Sequence, residues 1–212
     1  MHVVITGANR GIGRALSQRY SDRGEAVTGT SRDDSAQLRL DVTDPVQQAA
    51  MAERLKDQPI DLLICNAGVY LDKGHTINDY PVDMWAQSFA TNVTGVFLTI
   101  QALLPNLRAS GGKVAILSSQ MASHTRAPGG SYIYRASKAA VLNLGRNLAT
   151  DLKQDGIAVG IYHPGWVQTD MGGVAADIHV DQAVSGLMDR FDDLSLSTSG
   201  CFETYDGQPH AY

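Results

Sequence analysis

The sequence predicts a doubly wound α/β fold, a single domain on a mainly parallel seven-stranded sheet with helices on both faces. Three observations carry that expectation. Short β-branched runs alternate with segments of helical period. One predicted strand, Asp61 to Cys65, is after its first residue a continuous apolar run of the kind needed where helices cover both faces of a sheet. A chain of 212 residues with 43% apolar content suits one well-buried core better than two small domains. Alternating elements of these lengths form right-handed parallel crossovers.

Val3 to Thr6 is a β-branched run that passes through glycines into a helical pattern with Ile12, Leu16 and Tyr20 on one face. Gly24 stands where a helix end needs a left-handed residue, and Ala26 to Thr30 follows as the second strand. A weaker strand, Gln37 to Leu40, precedes a helix over Pro45 to Lys56, with Asp44 as N-cap and Pro45 at the first helical position. After the strand Asp61 to Cys65, helical periodicity over Pro81 to Arg108 is long enough for one bent helix or two in series, and Gly111-Gly112 ends it. Lys113 to Ser118, Ile157 to His163 and Cys201 to Tyr205 complete the strands, between helices over Ser131 to Asp155 and Asp181 to Phe191.

Composition narrows the function classes. A formal net charge of −5 with no basic block argues against a nucleic-acid or anionic-membrane partner. Cys65 and Cys201 lie far apart and read as buried thiols of a reducing compartment. The first residues run directly into a glycine turn without the charged and apolar regions of an export signal, so a cytoplasmic protein is expected. His2, His75, His124, His163, His179 and His210 are scattered over different elements, so no metal site is expected.

The informative motifs sit at the ends of strands. Gly7, Asn9, Arg10, Gly11, Ile12 and Gly13 lie between the first strand and first helix, where backbone N–H groups and a positive helix terminus would meet a pyrophosphate. The spacing of Gly7, Gly11 and Gly13 departs from G-x-G-x-x-G and points to another branch of dinucleotide binders. Tyr134 and Lys138 are four apart on a predicted helix and share a face, which Tyr132 cannot also do. Asn66-Ala67-Gly68 ends the fourth strand and Pro164-Gly165 follows the sixth.

Taken together these motifs resemble the short-chain dehydrogenase/reductase family, from Val3 to about Asp206. The text around Gly130 to Lys138 and His163 to Met171 is most similar to C-factor-like proteins and Sniffer-type carbonyl reductases. The resemblance implies a Rossmann-type domain with a catalytic set of Asn92, Ser119, Tyr134 and Lys138. Asn92 is carried over by Thr91-Asn92-Val93-Thr94-Gly95. Ser118 and Ser119 adjoin at a strand end and point to opposite faces, so only one can face the reacting centre; the family pattern selects Ser119.

The same resemblance assigns cofactor contacts to the glycine turn, to Asp41-Val42, to Asn66, Ala67 and Gly68, and to Pro164, Gly165, Val167 and Thr169, with Tyr134 and Lys138 reaching the nicotinamide end. Where an NAD-specific relative usually has an acidic residue at the end of the second strand, this chain has Arg32, and Arg10 offers a second cation; NADP(H) is favoured over NAD(H). The implied activity is hydride transfer between nicotinamide and a carbonyl or secondary alcohol, with Tyr134 as acid/base. The alternative is a nucleotide-binding signalling or regulatory protein of the C-factor type with little turnover. Relatives pack long helices against symmetry mates, so a homodimer or homotetramer is expected. Tyr70, Trp85, Met121, Trp166 and Met171 are candidate pocket residues, and Gly172 to Val180 reads as a short substrate lid.

Overall fold

The computed structural model describes residues 1–212. Seven parallel strands form one sheet: β1 (His2–Thr6), β2 (Ala26–Ser31), β3 (Leu38–Arg39), β4 (Leu62–Cys65), β5 (Lys113–Leu117), β6 (Ala158–His163) and β7 (Phe202–Thr204), in the order β3-β2-β1-β4-β5-β6-β7. The helices are α1 (Gly11–Asp22), α2 (Pro45–Arg54), α3 (Val82–Phe89), α4 (Gly95–Ala102), α5 (Leu104–Ser110), α6 (Tyr132–Asp151) and α7 (Val180–Asp193).

Alternation along the strands divides the core into two layers. Val4, Leu63, Cys65, Val114 and Ile116 pack with Met51, Val96, Ile100, Leu107 and Val141 on the face covered by α2 and α4 to α6. Val3, Ile5, Leu62, Ile64, Ala115 and Leu117 pack with Leu16, Tyr20, Leu187 and Phe191 on the face covered by α1 and α7. The chain winds outward in opposite directions from β1 and β4. The crevice beyond their C-terminal ends is therefore the topological switch point, where open α/β sheets bind ligands.

Several caps take the form the sequence predicts. The Asp44 carboxylate accepts from the N–H groups of Val46 (2.8 Å) and Gln47 (3.3 Å), and Gly24 and Gly111 adopt φ +81° and +59°. Other bounds differ for local reasons. β3 is shorter than expected because the Gln37 side chain turns back and its Oε1 accepts from Gly29 N–H at 2.9 Å.

The long helical stretch bends by 57° between Ala102 and Leu104, where Pro105 in the first turn of α5 lacks an N–H for the preceding turn. It also contains a wide turn, Ala90–Thr94, between α3 and α4. The helix expected to reach Asp155 relaxes into a tighter turn at Leu152–Asp155. Cys65 is buried, and burial pushes its thiol up to about 12; Cys201 is only half-buried, contrary to the expectation of two buried thiols. No single helix is long and apolar enough to cross a membrane.

Candidate active site

The glycine turn closes onto the end of β4. Gly7 and Gly11 have φ +67° and +51°, and a Cβ on Gly13 would run into the Gly7 carbonyl oxygen, so the turn needs glycine for conformation and for room. Asn66 Nδ2 donates to the carbonyls of Thr6 (2.9 Å) and Gly7 (3.0 Å), and Thr6 Oγ1 accepts from the N–H groups of Asn66 and Ala67, both at 3.1 Å. Asn66 thus fastens the turn rather than standing free. At the other end of the turn, Arg10 occupies the N-cap position of α1 without a side-chain cap, and the first turn holds no acidic residue. That leaves uncapped N–H groups at a positive helix terminus beside a side-chain-free cradle, a fit for a pyrophosphate.

Asn92 lies in the wide turn and is buried. Its Oδ1 accepts from Val69 N–H (2.8 Å), and its Nδ2 donates to Val69 O (2.9 Å) and Ser137 Oγ (3.0 Å), tying the loop after β4 to α6. Gly68 leaves the space between: a Cβ there would lie 3.3 Å from Asn92 Oδ1 and 3.5 Å from Lys138 Nζ.

The adjacent serines divide at the end of β5. Ser118 Oγ donates to the Lys138 carbonyl at 3.0 Å and is occupied by the backbone of α6. Ser119 Oγ accepts from Met121 N–H at 3.1 Å and faces the Tyr134 phenol, favouring its ionised form. Burial dominates the phenol nonetheless and pushes its pKa up, keeping Tyr134 protonated. One helical turn on, Lys138 Nζ lies 5.7 Å from the Tyr134 ring centroid and donates to Leu117 O at 2.8 Å; burial lowers its pKa to about 8.

Of the candidate pocket residues, Tyr70 stacks on Tyr134 with ring centroids 4.2 Å apart and planes 19° apart, and Met121 borders Ser119 through its backbone. Trp85 sits on the exposed side of α3 against Phe89, Trp166 Nε1 donates to Gly172 O at 3.0 Å, and the Met171 carbonyl accepts from Lys73 Nζ at 3.4 Å. Pairing of Val167 with Ile178, and of Gln168 N–H with Ile178 O (2.9 Å), closes the segment between them into a loop.

Among the expected cofactor contacts, Ile12 is half-buried against the α1-side core, and Asn9 is half-buried in the turn. Thr169 borders the glycine turn, its Cγ2 3.3 Å from where a Cβ on Gly11 would stand. Pro164 and Gly165 open the segment after β6, and Gly165 has φ +88°. Arg32 is exposed at the end of β2. Arg10 pairs with Asp170 at 3.3 Å, but both are exposed and such pairs are weak, so Arg10 is readily released to another anion. Asp41 Oδ1 accepts from Thr43 N–H (2.9 Å) and Oγ1 (2.7 Å). Val42 is buried against Gly95.

His163, at the end of β6, is buried with an unpartnered Nδ1 and faces His210 at 6.1 Å. Burial first, then the charges of His210 and Arg126, lower its pKa to about 4. A depressed folded pKa gives stability that is complete above the unfolded value near 6.5 and is lost as pH falls toward 4. The window corresponds to about 3 kcal/mol at most. We expect His163→Gln to flatten the loss of unfolding free energy between pH 6.5 and 4 in urea titrations; an unchanged slope would assign that loss elsewhere.

A family model described as short chain dehydrogenase matches residues 1–177. The chain is 36% identical to the 1-hydroxy-2-glutathionyl-2-methyl-3-butene dehydrogenase of Rhodococcus sp. (strain AD45), over 97% of this chain and 96% of that protein. It is 38% identical to the C-signal protein of Myxococcus xanthus, over 74% of this chain and 96% of that one. Its fold matches the NADPH-bound carbonyl reductase from chicken fatty liver with a TM-score of 0.91 at 32% identity, covering 100% of this chain and 98% of that one.

Proposed function

The chain belongs to the short-chain dehydrogenase family, and from that premise we propose that it is an NADP-dependent carbonyl reductase and alcohol dehydrogenase. The observation that carries this reading is the buried Tyr134 phenol, faced by Ser119 and backed by Lys138, beside a glycine-walled crevice at the sheet's switch point. When bound, the cofactor supplies the hydride. Tyr134 donates its phenolic proton to the carbonyl oxygen as that oxygen gains negative charge. Ser119 hydrogen-bonds to the same oxygen. Lys138 stabilises the phenolate left behind, and Asn92 holds Val69 and α6 in register.

The division of the serines has a measurable consequence. Ser119→Ala is expected to lower kcat by about 10²-fold, the scale of one lost donor to a developing oxyanion. Ser118→Ala is expected to cost about 1 kcal/mol of stability through the lost bond to Lys138 O, and little turnover. Steady-state kinetics and denaturation of both variants check this; the reverse ranking of kcat would move the catalytic hydroxyl to Ser118.

The choice of NADP rests on two exposed cations, Arg32 at the end of β2 and Arg10 in the glycine turn, and NADPH bound to the similar carbonyl reductase supports it. Arg32→Asp removes a partner for a 2′-phosphate and adds a repulsive charge. It is expected to shift the ratio of Kd for NADPH to Kd for NADH by about one to two orders of magnitude. Calorimetric titration of both cofactors tests this, and an unchanged ratio would make Arg32 a solvated surface residue.

Likeness to the protein named C-signal favours a second reading, nucleotide binding for signalling with little turnover. Incubating purified protein with NADPH and a panel of aldehydes, ketones and quinones separates the two. NADPH consumption supports the reductase; tight binding without consumption supports the alternative.

A further inference from the structure

Asp72 is a fully buried acidic residue that the proposed chemistry does not use. It lies on the loop between β4 and α3 and reaches the start of α6, where its Oδ2 accepts from Ile133 N–H at 2.9 Å and both its oxygens lie near Tyr134 N–H, at 3.3 and 3.4 Å. These are the second and third N–H groups of α6, which the residue preceding a helix ordinarily caps. Ser131 holds that place but does not cap: its φ is +49°, and its hydroxyl bonds to Tyr70 Oη at 2.5 Å. The same loop therefore grips Tyr134 twice, through the Asp72 carboxylate on its backbone and the Tyr70 ring stacked on its side chain.

We propose that Asp72 is a positioning residue for proton transfer: it fixes the backbone of Tyr134, and its negative charge extends to higher pH the range in which the phenol can donate. The proposal rests on reading Tyr134 as the proton donor. Both carboxylate oxygens accept from backbone N–H groups in the first turn of α6.

The groups facing the phenol from each packed element are Tyr70 and Asp72 from the β4–α3 loop, Ser119 from the end of β5, and Lys138 from α6. Asp72 carries the one full negative charge among them. Asp72 and Tyr70 both push the phenol toward its protonated form, and Ser119 opposes them. During carbonyl reduction the phenolic proton passes to the substrate oxygen as hydride from NADPH adds to the carbonyl carbon. Early loss of that proton to solvent at high pH would stop the step.

Asp72→Asn keeps an acceptor for the α6 N–H groups and removes the charge. In the NADP⁺ complex of protein labelled with ¹³Cζ-tyrosine, the Tyr134 resonance is assigned by its absence in Tyr134→Phe, and its ionisation is read without turnover. The midpoint is expected to fall by about one pH unit, as for a unit charge removed from within roughly 10 Å at a protein-like effective dielectric. The high-pH limb of kcat for reduction should move down with it. Asp72→Ser is also neutral with an acceptor and is expected to shift the midpoint in the same direction should the Asn variant fold poorly.

A midpoint unchanged within about 0.2 unit in a folded variant, whatever its Tm, would reduce Asp72 to a helix cap and overturn the proposal. If the wild type reduces no carbonyl with NADPH, the reductase reading falls, while the resonance midpoint still decides whether Asp72 controls the phenol.

Discussion

Tyr134→Phe is expected to lower kcat for carbonyl reduction by about 10²- to 10⁴-fold, the contribution of a positioned general acid. The Kd for NADPH should stay within about threefold of wild type, less than 1 kcal/mol. The substitution deletes one hydroxyl and leaves the ring that Tyr70 stacks on and the backbone N–H that Asp72 holds. The buried surroundings that keep the phenol protonated are likewise intact. Single-turnover kinetics, which isolate the chemical step from product release, are the check. Turnover equal to wild type would remove Tyr134 from the reaction.

The second large effect separates activity from stability. Lys138 is buried with a single bond, from Nζ to Leu117 O, and burial pulls its pKa from 10.5 to about 8. Because the folded value lies below the unfolded one, the fold gains stability from this group as pH rises from about 8 to 10.5 and carries the full cost of the buried charge at neutral pH. That cost is about 3 kcal/mol. Lys138→Met fills similar volume without charge. After allowing about 1 kcal/mol for the lost hydrogen bond, it should stabilise the protein by about 1 to 2 kcal/mol at pH 7. It should at the same time abolish most turnover. Urea denaturation at pH 7 and at pH 10 provides the check: the stabilisation should shrink at the higher pH, and a variant less stable than wild type at pH 7 would contradict the electrostatic argument.

What the sequence disclosed, and what it hid, follows from the range of each signal. Leu62 to Cys65 was legible because a strand covered on both faces has to be apolar throughout, and Asp44-Pro45 because a cap acts within one turn. The glycine turn and Tyr134 with Lys138 were legible as motifs, since φ and helical spacing are local properties. The wide turn that carries Asn92 was not, because Ala90 to Thr94 has the composition of an ordinary helix and its altered bonding depends on what packs around it.

Asp72 left no signal either. Its partners Ile133 and Tyr134 are distant in the chain, and nothing in Val69-Tyr70-Leu71-Asp72 announces a capping role for another element's helix. The residues alone left Ser118 and Ser119 open and only the family pattern chose between them, while the contact between Arg10 and Asp170 needed the return of the chain after β6 to the glycine turn.

Deuteride transfer separates a reductase from a protein that only binds the nucleotide. Wild-type protein would be incubated with NADPH deuterated at nicotinamide C4, as each of the two epimers, and with the carbonyl panel; the alcohols would then be analysed by mass spectrometry. The expected result is an alcohol one mass unit heavier, with deuterium on the former carbonyl carbon, from one epimer only, and a yield reduced by about 10²-fold or more in Tyr134→Phe. NADPH that binds tightly while no carbonyl acquires deuterium from either epimer would contradict the reductase reading and leave a nucleotide-binding protein.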